Sequence, residues 1–138
     1  MSFRRFSRPL FALLLALVLG ACSQDPLDTL VGCFSTNQNG SQEFRIVEGK
    51  DGGYALSWRQ LDHWGPSRPL RQATKAELTT LFGADAAKIQ ASLVANEEGF
   101  ALHRIQAGET LGQAKTDSGF IGTFFFGAGQ VYKAGECL

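Results

Sequence analysis

The chain has 138 residues, of which 13 are Lys or Arg and 13 are Asp or Glu, for a formal net charge of zero. That length holds one small domain. Without a basic run or stripe, the composition excludes a nucleic-acid-binding protein and a basic patch that would hold a membrane surface.

Residues 1–21 read as an export signal. Arg4, Arg5 and Arg8 precede the apolar run Leu10–Leu19, and the small Gly20 and Ala21 follow it. The arginines stay on the cytoplasmic side while the apolar run enters the membrane. That run is far shorter than the ~20 residues a membrane-spanning helix needs. The order Leu19-Gly20-Ala21-Cys22 resembles the lipobox of bacterial lipoproteins. The resemblance implies cleavage before Cys22, lipidation of the Cys22 sulfur and acylation of the new amino terminus. Several acyl chains anchor a protein stably where one is marginal. The second mature position is Ser23, not aspartate. By analogy with enterobacterial sorting, this favours the outer membrane of the bacterial cell envelope, facing the periplasm. With the signal removed, 10 basic and 13 acidic residues remain, so the mature chain carries −3. Its expected membrane contact is the lipid alone.

Residues 22–29 make a short polar tether, and 30–138 make the folded domain. Leu30-Val31-Gly32-Cys33-Phe34 begins it as a strand. Cys33 and Cys137 are the two cysteines left over in an oxidising compartment, and no Cys-x-x-Cys exists. A structural disulfide between them is the expectation. Asn37–Gly40 is a turn. Glu43–Glu48 and Tyr54–Trp58 alternate apolar and polar residues around Gly49-Lys-Asp-Gly-Gly53, the signature of a hairpin. Gly65, Pro66 and Pro69 mark residues 60–71 as a loop.

Thr74-Lys-Ala-Glu77 has the form of a capping box, with Leu78, Leu81 and Phe82 at helical spacing, so a short helix is expected over about 75–82, ended by Gly83. Residues 85–89 read as a further helical turn. Ile89–Val94 reads as a strand, because Asn96-Glu-Glu-Gly99 and Phe100–Ile105 complete a hairpin with it. Residues 106–118 read as a polar loop, Gly119–Phe126 as a strand, Gly127-Ala-Gly129 as a turn and Val131–Lys133 as the last strand. Six or seven short strands and one helix make an α+β domain, mainly an antiparallel β meander in the form of a curved sheet or small barrel, stapled by the disulfide. The opening Leu30-x-Gly32-x-Phe34 resembles the first strand of lipocalin-like barrels.

Asp62-His63 has the composition of a base with an orienting carboxylate. On a strand, however, adjacent residues point apart, and no nucleophile motif accompanies them. His103 alternates with Leu102 and Arg104 as an ordinary sheet residue. No three or four metal ligands assemble at workable spacing. The expectation is therefore no catalytic set, no metal and no cofactor. Trp64 and Arg68 lie in the most distinctive loop, and Trp and Arg are enriched at interface hot spots, although a Trp in such a loop can equally close the end of a sheet. Phe124 belongs to a Phe124-Phe125-Phe126 run with aromatics on both faces, one of which could meet a partner. Trp64, Arg68 and Phe124 are thus the candidate partner-binding residues. An anchor, a stapled β-rich scaffold and no catalytic set point to a membrane-anchored, non-enzymatic protein-binding module, whether an inhibitor, an immunity protein or an assembly accessory; Ser118-Gly119 before an aromatic strand and a terminal cysteine resembles periplasmic lysozyme inhibitors, one such family. The alternatives are a lipocalin-like carrier of a small ligand, which needs an interior cavity, and a hydrolase built on His63 or His103.

Overall fold

In the computed structural model, which describes residues 24–125 and 127–138, a 3-10 turn at Asp28–Leu30 leads into an antiparallel meander. The strands are β1 Gly32–Ser35, β2 Phe44–Glu48, β3 Tyr54–Gln60, β4 His63–Trp64, β5 Arg68–Gln72, β6 Ala91–Ala95, β7 Phe100–Arg104, β8 Thr110–Leu111, β9 Ala114–Lys115, β10 Phe120–Phe124, β11 Gly127–Gln130 and β12 Tyr132–Lys133. One helix, α1 (Lys75–Phe82), and 3-10 turns at Gly83–Lys88 and Asn96–Glu98 interrupt them. The sheet order is β11-β10-β7-β6-β5-β3-β2-β1-β12. Only Val131 separates β11 from β12, so one continuous segment pairs with β10 at one end of the sheet and with β1 at the other. The sheet therefore curls into a nearly closed barrel.

Alternation builds its interior. Phe44, Ile46 and Leu56 point inward from β2 and β3 and are fully buried. A barrel of about eight strands has an interior just wide enough for side chains to fill. Here the filling is aromatic: Phe34, Phe44, Trp58, Phe100, Phe120 and Phe124 form a contiguous set with centroid separations of 5.2–6.3 Å. Most of these pairs meet edge to face, which places the positive ring edge on the negative face. Gly122 makes room for them, since a Cβ there would stand 2.7 Å from Phe124 and 3.1 Å from Val131.

The helix forms as its capping box requires. The Thr74 hydroxyl accepts from the Glu77 N–H, and the Glu77 carboxylate accepts from the Thr74 N–H. Gly83, at φ 56°, ends the helix. The outer side of β6, β7 and β10 carries Ser92, His103 and Ile121 side by side, and the Phe82 ring meets His103 edge to face at 5.2 Å. Ile105, Leu111 and Ile121 form a second, smaller cluster there, with Phe82 and Ile89 against it.

Cys33 and Cys137 are disulfide-bonded across 104 residues of sequence. Residues 60–71 are not a loop: they hold β4 and β5. Pro69 is compatible with β5 because of its parity. The Ala73 N–H donates to Ser92, and β5 pairs with β6 only at Arg71 and Gln72. The position of Pro69 therefore faces the side where the ladder has already stopped, and its missing N–H breaks nothing. Residues 106–118 contain the β8–β9 hairpin, with Leu111 buried in the outer cluster. Gly127-Ala-Gly129 is strand, not turn: Phe124 faces Gly127, so the chain reverses before Gly127. The first strand starts at Gly32 because Asp28–Leu30 winds into the 3-10 turn. The strand expected over Ile89–Val94 is present as β6.

Candidate functional site

β1 runs away from the end at which residues 24–31 enter, and β3, β6 and β10 run the same way. The far rim of the barrel is therefore built from the segments that follow those strands. Among the described residues, two large apolar side chains stand out of it. Gln60 pairs with His63, which leaves Leu61-Asp62 as a two-residue hairpin turn. Leu61 has φ 49° and is 99 % exposed. Such turns favour Asn or Gly because a Cβ crowds the left-handed conformation, at roughly 1 kcal/mol or more for a residue like Leu. Across the mouth, Phe125 is 81 % exposed where β10 ends, and its ring lies over Gly99, where any Cβ would collide with it. Leu81 is also exposed, and with Phe125 and Gly99 it lines a cleft of about 420 Å³.

Trp64 is occupied by the chain's own tail. Its Nε1–H donates to the Leu138 carbonyl at 3.0 Å, and the Arg59 guanidinium donates to the same oxygen at 3.3 Å. The Leu138 N–H donates to Gln42 Oε1 at 3.0 Å. The guanidinium carbons of Arg45 and Arg59 lie 4.9 and 5.0 Å from the indole centroid, within cation–π range. Trp64 thus clamps the tail beyond Cys137 onto the barrel wall. A cleft of about 170 Å³ remains beside it, lined by Ser41, Gln42, Arg59, Leu61 and Leu138.

Arg68 reaches across the gap between β5 and β6 to the Glu98 carboxylate at 3.3 Å. Phe124 is half-buried in the aromatic interior and its neighbour Phe125 is exposed; Phe126 lies outside the described residues, as does Cys22. Ser118 is an internal staple: its hydroxyl donates to the Val131 carbonyl, while Gln130 Oε1 accepts from the Asp117 and Ser118 N–H groups.

Asp62 and His63 do meet, because Asp62 sits in the turn and not on the strand. Nδ1 lies 3.1 Å from Asp62 Oδ1, and Nε2 lies 3.1 Å from Gln60 Oε1. The contact with His63 holds the Asp62 carboxyl below its ordinary range. Both ring nitrogens are thereby engaged, and neither faces a nucleophile. His103 has a hydroxyl on each nitrogen: Ser92 Oγ at 2.7 Å from Nδ1 and Thr123 Oγ1 at 3.2 Å from Nε2. A Ser–His contact of that length suits a nucleophile and its base. Yet His103 is fully buried, a threonine stands where an orienting carboxylate would, and burial pushes its pKa down to about 4. It serves as a neutral bridge across β6, β7 and β10. Among the described residues no group of three His, Cys, Asp or Glu side chains could hold a metal ion, and no helix is long and apolar enough to cross a membrane.

Trp64 and the fully exposed Leu61 belong to the same β3–β4 hairpin. Leu61 is the exposed residue of that hairpin, and a lone apolar residue among polar ones gives no periodic signal in the sequence, whereas Trp64 is bonded to Leu138. No protein-family model, curated protein or solved structure matches the chain.

Proposed function

We propose that this is an exported, lipid-anchored, non-enzymatic protein that binds a partner protein with the barrel rim farthest from its tether. The observation that carries the reading is Leu61: a large apolar side chain almost wholly in water, in a backbone conformation that disfavours it. Strain of this kind persists where it serves a function. Phe125 stands on the opposite side of the same mouth, and exposed aromatic and aliphatic groups around a filled scaffold are what a protein interface uses. The aromatic packing of the interior argues against the small-ligand carrier, which would have to displace those rings. The burial of His103 and Ser92 argues against a hydrolase.

Cross-linked capture from native membranes, followed by mass spectrometry, tests the reading. Leu61→Asn suits the turn better than the native residue, so the melting temperature is expected to stay level or rise. Capture is expected to fall at least tenfold, a loss of about 1.4 kcal/mol, and Phe125→Ser is expected to weaken it likewise. Capture unchanged in both variants sinks the proposal. The anchor has its own test. Cys22→Ser is expected to abolish labelling by a palmitate analogue and to leave the signal uncleaved; undiminished label would refute the lipobox reading.

A further inference from the structure

The barrel is incomplete at the seam between β11 and β1. The Val131 N–H donates to the Phe120 carbonyl at 3.2 Å. Bonded pairs alternate along an antiparallel ladder, so Gly129 and Gly127 turn their backbone groups to β10, while Ala128 and Gln130 turn theirs outward. On the other side of the same segment the Ala134 N–H donates to the Cys33 carbonyl, and Tyr132 faces Ser35 as the last pair with β1. β1 then leaves the sheet. The N–H and hydroxyl of Thr36 bind the Glu43 carboxylate at 3.0 and 2.9 Å, which turns the chain toward β2. Among the described residues no strand therefore faces the backbone of Ala128 and Gln130. A cleft of about 280 Å³ lies there, between Thr36 and Gly127–Gln130, with Phe124 in its wall. Val131 points into the interior, so Gly129 and Gly127 share its face, and a Cβ on either would meet nothing within 4 Å.

We propose that this seam takes an extended segment of the partner protein, which adds beside β11 as a strand and places one apolar side chain in the cleft against Phe124. The inference rests on the reading of the protein as a binding module and specifies how it binds. Outward backbone donors and acceptors recognise another backbone, and a pocket at alternate positions selects its side chains. Edges left free in solution are normally guarded by lysine, proline or a bulge. Here the edge is Gly-Ala-Gly-Gln, neutral throughout, and Phe125 stands exposed beside it. The segment that fits is uncharged and alternates apolar with polar residues. A second copy of this chain is the poorer occupant. β11 against β11 offers glycines to both clefts and fills neither. Two such short strands also bury far less than the ~1,200 Å² of a stable interface.

The test uses the full chain in detergent micelles, panned against a phage-displayed random heptapeptide library. Alternating apolar–polar peptides are expected to be enriched. The best synthetic peptide is expected to slow amide exchange at Ala128 and Gln130, and to lose binding when its alternate amides are N-methylated. Ala128→Lys, which guards the edge, and Gly129→Leu, which fills the cleft, are each expected to weaken it at least tenfold at an unchanged melting temperature. No enrichment, binding indifferent to N-methylation or to both variants, protection at other amides, or dimerisation through β11 overturns strand addition. Membrane capture keeps the two levels apart. If it survives Ala128→Lys but not Leu61→Asn, strand addition falls and the binding module stands; if it survives Ala128→Lys, Leu61→Asn and Phe125→Ser alike, both fall.

Discussion

Cys33→Ser is expected to lower the melting temperature by about 10 °C or more. Cys33 is fully buried on the wall of the barrel, and Cys137 lies in the tail that folds back over β1. The bridge spans 104 residues, nearly the whole domain. A loop of ~100 residues is one for which chain entropy assigns a bridge about 4.7 kcal/mol, and removal of native bridges from small exported domains costs about 2–5 kcal/mol. For a domain of this size each kcal/mol moves the midpoint by about 4–8 °C. The tail adds a local effect. Leu138, one residue beyond the bridge, is held by Trp64, Arg59 and Gln42. Without the bridge these exposed bonds must order the tail unaided, and it should fray. Melts of Cys33→Ser, Cys137→Ser and the double variant check this: the three should coincide, because one interaction is lost in each. Thiol titration of the native chain should find neither cysteine free. Three unequal melts, or two free thiols, would refute the staple.

The parts of this fold that could be read from sequence are those whose cause is local. The β2–β3 hairpin follows from alternation around a glycine-rich turn, and Asp51 closes that turn on the Gly53 N–H. The helix follows from Thr74 and Glu77, which cap it as their spacing requires. The cysteine pairing follows from count and compartment. What could not be read has its cause elsewhere in the chain. Pro69 reads as a strand breaker, and only the neighbouring strand's endpoint makes its missing N–H harmless. Glycines at 127 and 129 read as a turn, whereas they are strand positions whose bare inward side opens on a cleft that Phe124 also lines. Trp64 bonds to a residue 74 positions away, which no local pattern could signal. Leu61 was hidden for the opposite reason, since a single apolar residue in a polar loop carries no period at all.

Between pH 6.5 and 4 the protein is expected to lose roughly 3 kcal/mol of stability through one side chain, His103. Its ring is enclosed by Ser92, Thr123 and Phe82, with no carboxylate on either nitrogen, and burial lowers its pKa to about 4. In the unfolded chain it titrates near 6.5. Above 6.5 both states hold it neutral and its contribution is constant. As pH falls through that value the unfolded chain takes up a proton that the folded chain refuses, so stability falls by up to about 1.4 kcal/mol per pH unit. The loss is complete near pH 4, where the folded state protonates as well. The carboxylates act lower. Glu77, held by Arg71 down to about 2, gives up its contribution only as pH falls from 4.5 toward that value. Chemical denaturation of the wild type and of His103→Gln at pH 7.5 and 4.5 isolates the effect. The variant is expected to start less stable at pH 7.5, because its amide fits the two hydroxyls less well, and then to lose about 2–3 kcal/mol less than the wild type on acidification. Equal losses in the two proteins would mean that His103 is reached by solvent and protonates in the folded state without cost. The barrel wall beneath α1 would then be wet, and the Ser92–His103 pair would return as a candidate for chemistry.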